Sequence, residues 1–195
     1  NNSNKKILYR TAVDSLIFMH KKKLQIKLKA YTLENFFNES DLFFDWYLKK
    51  MKQEEKIDIK NHFNRVFAKY LNKTFLLPAV FIHRDYHIDN LFFLNNRNNH
   101  FKCGWIDYQD ALMGPCVYDL MSLMQDARID VENEMENFLI DYYLSNFSDI
   151  DRELFIYSYD VLAIQRHLKV LGIFSRLALR DNKMNYLKFI PRVKN

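Results

Sequence analysis

Apolar residues recur at helical spacing along most of this chain, with one interruption near its middle. From Asn4 to Leu24 they fall at Ile7, Leu8, Ala12, Leu16 and Met19, the stripe of an amphipathic helix. Thr32 is placed to cap a second helical segment holding Leu33, Phe36 and Phe37. Ser40 is placed to cap a third, Asp41 to Met51, with the cluster Leu42-Phe43-Phe44-Asp45-Trp46-Tyr47-Leu48. Gln53 to Leu71 predicts a longer helix with Ile57, Phe63, Val66, Phe67 and Tyr70 inward, and Pro78 stops the helical region. The interruption consists of three apolar runs: Ala79 to Ile82, Leu91 to Leu94 and Phe101 to Ile106. Between them lie the polar cluster His83 to Asn90 and the polar turn Asn95 to His100. This reads as strand, loop, strand, hairpin turn and strand, ending on Asp107. Gly114-Pro115 predicts a turn. Helices follow over Tyr118 to Ala127, Asn133 to Leu144 and Glu153 to Leu171, with a break or bend at Gly172. A helical continuation, Phe174 to Arg180, and a last helix, Met184 to Ile190 ended by Pro191, complete the pattern.

The expectation is one α+β domain over 1–195, mostly helical. It is helical over 4–77, carries a loop and a small β-hairpin over 79–110, and is helical again over 116–190. With 49% hydrophobic residues, among them 17 Phe and 12 Tyr, the chain can bury an aromatic core, which excludes disorder. The excess of 29 Lys+Arg over 24 Asp+Glu is mild. The lysines (Lys5-Lys6, Lys21 to Lys23, Lys49-Lys50) are spread over helical segments and read as solvated faces, so no nucleic-acid partner is expected. Cys103 and Cys116 form no C-x-x-C pair, so zinc is not expected and reduced thiols are. No apolar run approaches the roughly 18 residues of a membrane span, and no signal-peptide pattern opens the chain. Asn1-Asn2-Ser3-Asn4 holds no initiator Met, so the chain reads as a fragment.

The chemistry concentrates in the interruption. His83-Arg84-Asp85 followed by Asn90 fits H-R-D-x-x-x-x-N, the catalytic-loop pattern of kinases. The residue types suit phosphoryl transfer. A carboxylate at the start of the loop, Asp85, orients the acceptor hydroxyl. Magnesium on nucleotide phosphates is a hard cation that takes oxygen ligands, and Asn90 and Asp107 supply them. The Asp107-Tyr108-Gln109 sequence lacks the glycine of D-F-G. The plainer reading is a polar turn followed by a surface acid. Gly104, Gly114 and Gly172 are the three glycines, so no Gly-rich phosphate loop precedes His83. The stretch before His83 reads as helices, so a nucleotide-clamping N-terminal lobe is expected to be absent.

His83, Asp85, Asn90, Ile106-Asp107, Gly114-Pro115 and Tyr118-Asp119-Leu120 resemble the aminoglycoside phosphotransferase family, the small-molecule branch of the kinase-like fold. Val80 to His87, Asp107 to Ala111, Phe44 to Tyr47 and Gln165 to Phe174 are similar to bacterial cell-wall amino-sugar kinases. Those enzymes phosphorylate the anomeric hydroxyl of N-acetylmuramate and N-acetylglucosamine with ATP, in peptidoglycan recycling. The resemblance covers nearly the whole chain as a C-terminal lobe. It implies Asp85 as catalytic base, His83 and Asp119 as braces of the loop, and Asn90 and Asp107 as the ligands of Mg²⁺ and the nucleotide. It also implies a cytoplasmic enzyme partnered by a sugar, ATP and the N-terminal kinase lobe. Asp89 departs from the pattern, which has a small or basic residue nearby.

Other residues carry two readings each. Arg84 faces a phosphate or pairs with an acid. His87 is a hydrogen-bonded loop residue or a ligand, and Asp110 is a cap or a site acid. Arg166, His167 and Lys169 form a solvated basic face, or a wall that recognises sugar hydroxyls or a carboxylate. Asp45, Trp46 and Tyr47 are core residues or a sugar platform. Rival functions are an aminoglycoside-, choline- or homoserine-type kinase, a non-catalytic kinase-like binding module, and a basic helical nucleic-acid binder.

Overall fold

Seven α-helices and four short strands carry the described residues, 2–22 and 27–194, of the computed structural model; for residues 2 and 3 only the backbone is described. The helices are α1 (Asn2–Lys21), α2 (Leu33–Leu42), α3 (Gln53–Thr74), α4 (Tyr118–Met124), α5 (Asn133–Leu144), α6 (Arg152–Asp181) and α7 (Ile190–Val193). The strands are β1 (Ala79–Ile82), β2 (Leu91–Phe93), β3 (Cys103–Trp105) and β4 (Leu112–Pro115). Leu24 and Lys23 lie outside the described residues. No helix is long and apolar enough to cross a membrane, among the described residues. Cys103 and Cys116 are free thiols, and burial pushes Cys116 up to about 12.

Thr32 caps α2 as expected, in a reciprocal box with Asn35. Ser40 does not start a new helix. Its hydroxyl donates to Phe36 O at 3.0 Å inside α2, and the chain runs straight into a π-helical stretch, Phe43–Tyr47. In α1 the buried face is Tyr9, Ala12, Val13, Leu16 and Ile17, while Ile7 and Leu8 are exposed. In α3 it is Phe67, Leu71 and Thr74 with Phe63 beside them, while Ile57, Val66 and Tyr70 are exposed. Both stripes are rotated from the expected ones, because a run rich in apolar residues supports more than one 3.6-residue register.

A fourth strand stands where a turn was expected. β2 and β3 form the antiparallel hairpin, Leu91 opposite Trp105. β1 pairs instead with β4, Val80 opposite Gly114, so Gly114-Pro115 lies in a strand and the turn follows it. Phe101 and Lys102 belong to a 3₁₀ turn before β3. The segment before α2 runs beside β4, with Tyr31 N donating to Met113 O at 2.7 Å. A Cβ on Gly114 would lie 2.6 Å from the Ile82 Cδ1 and 3.1 Å from the Tyr31 Cβ, so a larger residue at this crossing would have to displace the Ile82 side chain.

Gly172 neither breaks nor bends α6, which runs unbroken for 30 residues. Its role is close approach. A Cβ there would lie 2.3 Å from the Leu42 backbone, where α2 enters the π-helical stretch. Pro191 does not end the last helix either; it stands in the first turn of α7, where its missing N–H costs nothing. The core forms around α4, all seven of whose residues are buried, between α1, α5, α6 and the β1–β4 pair.

Candidate active site

The loop after β1 is fixed by its own backbone and by a buried acid. Asp119, in the first turn of α4, accepts from His83 N at 2.6 Å and from Arg84 N at 3.1 Å. Burial pushes its carboxyl up to about 7, against the pull of those two donors and of Arg166. The His83 ring reaches across to Ile106 O at 2.9 Å and feels the charges of both Asp85 and Asp107. Burial outweighs these and holds its pKa below the ordinary imidazole value, which suits a neutral brace. Tyr86 is fully buried and donates to Ala12 O at 2.9 Å, pinning the loop to α1.

Asp85 is half-buried above α6. Burial works to raise its pKa, but Lys169 first, then Arg166 and His87, outweigh it and hold the carboxylate below its ordinary range. Asn90 closes the loop: its side-chain nitrogen donates to Asp85 O at 3.0 Å, and its carbonyl accepts from Ile106 N at 3.1 Å. With its nitrogen spent there, the Asn90 carboxamide oxygen is the group left for a cation. Asp107 follows β3 in a left-handed conformation, φ 66°, exposed and bonded by Gln109 at 2.9 Å. No group of three or more His, Cys, Asp and Glu that could hold a metal occurs among the described residues. Oxygen donors of this kind suit Mg²⁺, which keeps several waters and takes the rest of its ligands from phosphates.

Arg166 and Lys169 are not a solvated face. Both are buried: Arg166 Nη1 donates to Arg84 O at 3.2 Å, and Lys169 lies 3.2 Å from Glu39. Arg84 pairs with that same acid at 2.5 Å, which decides its two readings. His167 is half-buried, and burial, then Arg166 and Arg192, lower its pKa. It lines a polar groove of about 570 Å³ with Asp126, Glu136 and Arg192. His87 is buried, and its pKa falls to about 4 through burial and then Arg128 and Arg166. Asp89 is turned outward onto Arg128 at 2.7 Å, and Arg128 also holds Asp126 at 3.1 Å. Asp110 contributes its carbonyl, which Arg84 meets at 3.1 Å. Asp45 is exposed, Lys49 lies 5.2 Å over the Trp46 ring, and Tyr47 stacks on Phe43 at 5.1 Å. None of these three hydrogen-bonds to the loop among the described residues.

Glu39, Asp126 and Gln165 were not singled out from the sequence. Glu39 follows Phe36 by one helical turn, so a carboxylate on the core face of α2 was the available signal. Asp126 is a buried acid just past the end of α4, where helical periodicity gives no signal. Two apolar hollows, of about 400 and 440 Å³, flank the hairpin, where Phe92, Phe93, Phe101, Ile106 and Tyr108 are exposed.

A sequence model of the phosphotransferase enzyme family matches residues 8–154. An N-acetylmuramate/N-acetylglucosamine kinase of Neisseria meningitidis is 32% identical over 97% of this chain and 58% of that protein. One of Pseudomonas aeruginosa is 33% identical over 95% of this chain and 55% of that protein. One of Caulobacter vibrioides is 41% identical over 59% of this chain. The chain thus spans about half the length of the curated relatives it matches. Among solved structures, an ADP-bound aminoglycoside phosphotransferase superposes with TM-score 0.63 at 15% identity, covering 99% of this chain and 64% of that one. An AMP-bound spectinomycin phosphotransferase gives TM-score 0.60 at 14% identity, covering 96% and 62%. At such identity these two show the shared fold.

Proposed function

The chain belongs to the phosphotransferase enzyme family, and from that we propose that it carries the loop-bearing half of an enzyme moving the γ-phosphoryl of ATP onto a sugar hydroxyl. The acceptor is the anomeric hydroxyl of N-acetylmuramate or N-acetylglucosamine, the sugars in the names of its relatives. Asp85 orients that hydroxyl and takes its proton. His83 and Asp119 hold the loop in place. Asn90 and Asp107 would hold Mg²⁺, which supplies neutralisation of phosphate charge when bound. The sugar lies in the polar groove with Asp126, Glu136, His167 and Arg192, with Asp45, Trp46 and Tyr47 as a further contact surface. Arg166 and Lys169 act beneath Asp85 rather than on the sugar, because both are buried. A nucleotide-clamping lobe covers the exposed apolar hairpin. Since ATP is the donor, the compartment is the cytoplasm.

The observation that carries this reading is Asp85 itself, a half-buried carboxylate held ionised by Lys169 and Arg166 on a loop bonded at both ends. A surface turn has no use for buried cations beneath its acid. The test is transfer of labelled γ-phosphoryl from ATP by the intact protein to N-acetylmuramate, N-acetylglucosamine, choline, homoserine and an aminoglycoside. Labelled amino sugar is expected, and its loss in Asp85→Asn. Label on any other acceptor with none on the amino sugars would sink the acceptor assignment. No transfer to any of them would favour the binding-module reading.

A further inference from the structure

The buried carboxylate of Glu39, on α2, has no part in the reading above, although four side chains converge on it. Tyr31 Oη donates at 2.6 Å, Gln165 Nε2 at 3.2 Å, Arg84 Nη2 at 2.5 Å and Lys169 Nζ at 3.2 Å. A carboxylate removed from water costs several kcal/mol unless its partners compensate, so a cluster this complete fixes whatever it touches. Two of its partners touch the reaction loop. Arg84 immediately precedes Asp85 and holds φ 73°, a left-handed conformation that costs a non-glycine residue about 1 kcal/mol or more. It is kept there from every side: N to Asp119, Nη1 to Asp110 O, Nη2 to Glu39, and its own O accepting from Arg166. Lys169 lies 3.2 Å from Glu39, and its charge also acts on Asp85.

We propose that Glu39 is a positioning residue for phosphoryl transfer: by binding Arg84 and Lys169 together it locks the left-handed turn that aims Asp85 and takes up part of the Lys169 charge. The inference rests on the reading of Asp85 as the group that takes the acceptor's proton.

The experiment measures kcat and the KM values for ATP and for the sugar in the intact protein, with urea unfolding beside them. Glu39→Gln should reduce kcat by about tenfold or more through misaiming, with KM for ATP unchanged. Glu39→Asp should restore most of the loss. Glu39→Gln leaves two buried cations short of a partner, which costs stability, so Glu39→Gln/Lys169→Met, which removes both ends of the ion pair, is measured beside it; it should recover stability without recovering kcat, because Arg84 still lacks its carboxylate. A folded Glu39→Gln protein with unchanged kcat overturns the proposal, as does a Glu39→Asp protein no faster than Glu39→Gln or a double variant whose kcat returns to the parent value. An active Asp85→Asn protein would instead overturn the role given to Asp85.

Discussion

Asp85 and Asp107 are held by opposite means. Asp85 stands over a buried floor made by three helices: Glu39 from α2, Asp119 from α4, and Arg166 and Lys169 from α6. Asp107 stands exposed at the end of a hairpin whose outer face is apolar, and among the described residues its carboxylate accepts one hydrogen bond, from Gln109. The acid on the proposed acceptor side therefore rests on a buried floor, whereas the acid on the proposed nucleotide side stands exposed. Function and stability should separate along that line. Changes at Asp107 should cost activity without cost to the fold, and changes beneath Asp85 should cost both.

The largest effect expected is on turnover. Asp107→Ala should lower kcat by about a thousandfold or more, the scale of losing a charge-stabilising group at the reacting centre. Its stability should stay within about 0.5 kcal/mol of the parent, as for a surface change. Asp85→Asn should lower kcat by about a hundredfold or more while leaving the affinity for an ATP analogue with Mg²⁺ intact, because its interaction is made only as the acceptor reacts. Isothermal titration on both variants tests this. Equal loss of nucleotide affinity in the two would erase the division of labour.

Next in size are the supports. Asp119→Ala strands two N–H groups, the buried one of His83 and the partly buried one of Arg84. Each unsatisfied donor costs about 1–3 kcal/mol, so a loss of about 3 kcal/mol is expected in urea unfolding. Gly172→Ala should cost about as much, since the new methyl would lie 2.3 Å from the Leu42 backbone, which no rotamer change relieves. The same change separates α2 from α6 and so pulls Glu39 from Lys169. A Gly172→Ala protein as stable as the parent would mean the two helices can slide without harm.

The sequence reached the loop and missed its floor for a physical reason. His83, Asp85, Asn90 and Asp107 lie in one stretch, where strand, turn and hairpin signals are local and spacing alone brings them close. α5 was legible to the residue, Asn133 to Leu144, because its periodic run is bounded on both sides by polar residues. The floor is assembled from distant segments: Glu39 and Lys169 are 130 positions apart in the chain and meet only because Gly172 admits the backbone after α2. A local pattern cannot tell a lysine on a solvated face from one aimed at a buried carboxylate. Hence Arg166 and Lys169 read as a solvated face or a sugar-binding wall, although both are buried. The partner of β1 was missed likewise, since nothing near Leu112 to Pro115 distinguishes a strand from a turn around Gly-Pro.

A smaller effect concerns pH. His20 is held at about 4 by burial, with its Nδ1 2.7 Å from Tyr143 Oη, and His87 is also held at about 4. Both values are depressed, so the stability they confer is present above their unfolded pKa and is lost as pH falls toward 4. Asp119, raised to about 7, works the other way and loses its contribution as pH rises toward 7. Between about pH 4 and 6.5 the unfolded chain thus takes up two protons on the imidazoles against one held by native Asp119. The net is one proton, so stability falls on acidification through this window, by on the order of 1 kcal/mol per pH unit. Glu39, depressed to about 2, extends the loss below pH 4.5. His20→Asn should flatten the upper part of the slope and leave the part below pH 4.5 in place. A slope unchanged by that variant would show that the imidazole remote from the loop carries none of it.

The smallest effect is expected on the hairpin, and it bears most directly on the contrast between the two acids. Phe92 is 49% exposed, and Phe101 and Tyr108 are more exposed still. A half-exposed ring that gains little burial on folding should cost little to replace, so Phe92→Ser should change the unfolding free energy by about 0.5 kcal/mol or less. The same change removes part of an apolar face flanked by two hollows, the kind of face that associates when left uncovered. It should therefore raise the concentration at which this chain alone stays dispersed, measured by light scattering. Phe67→Ser, on the buried face of α3, is the control and should cost about 3 kcal/mol or more. If Phe92→Ser destabilised the chain as much as Phe67→Ser does, the hairpin would belong to the core and Asp107 would rest on a floor of its own. If both were neutral to dispersion, the apolar face would need no cover, and the open nucleotide side would have to be explained by the ligand alone.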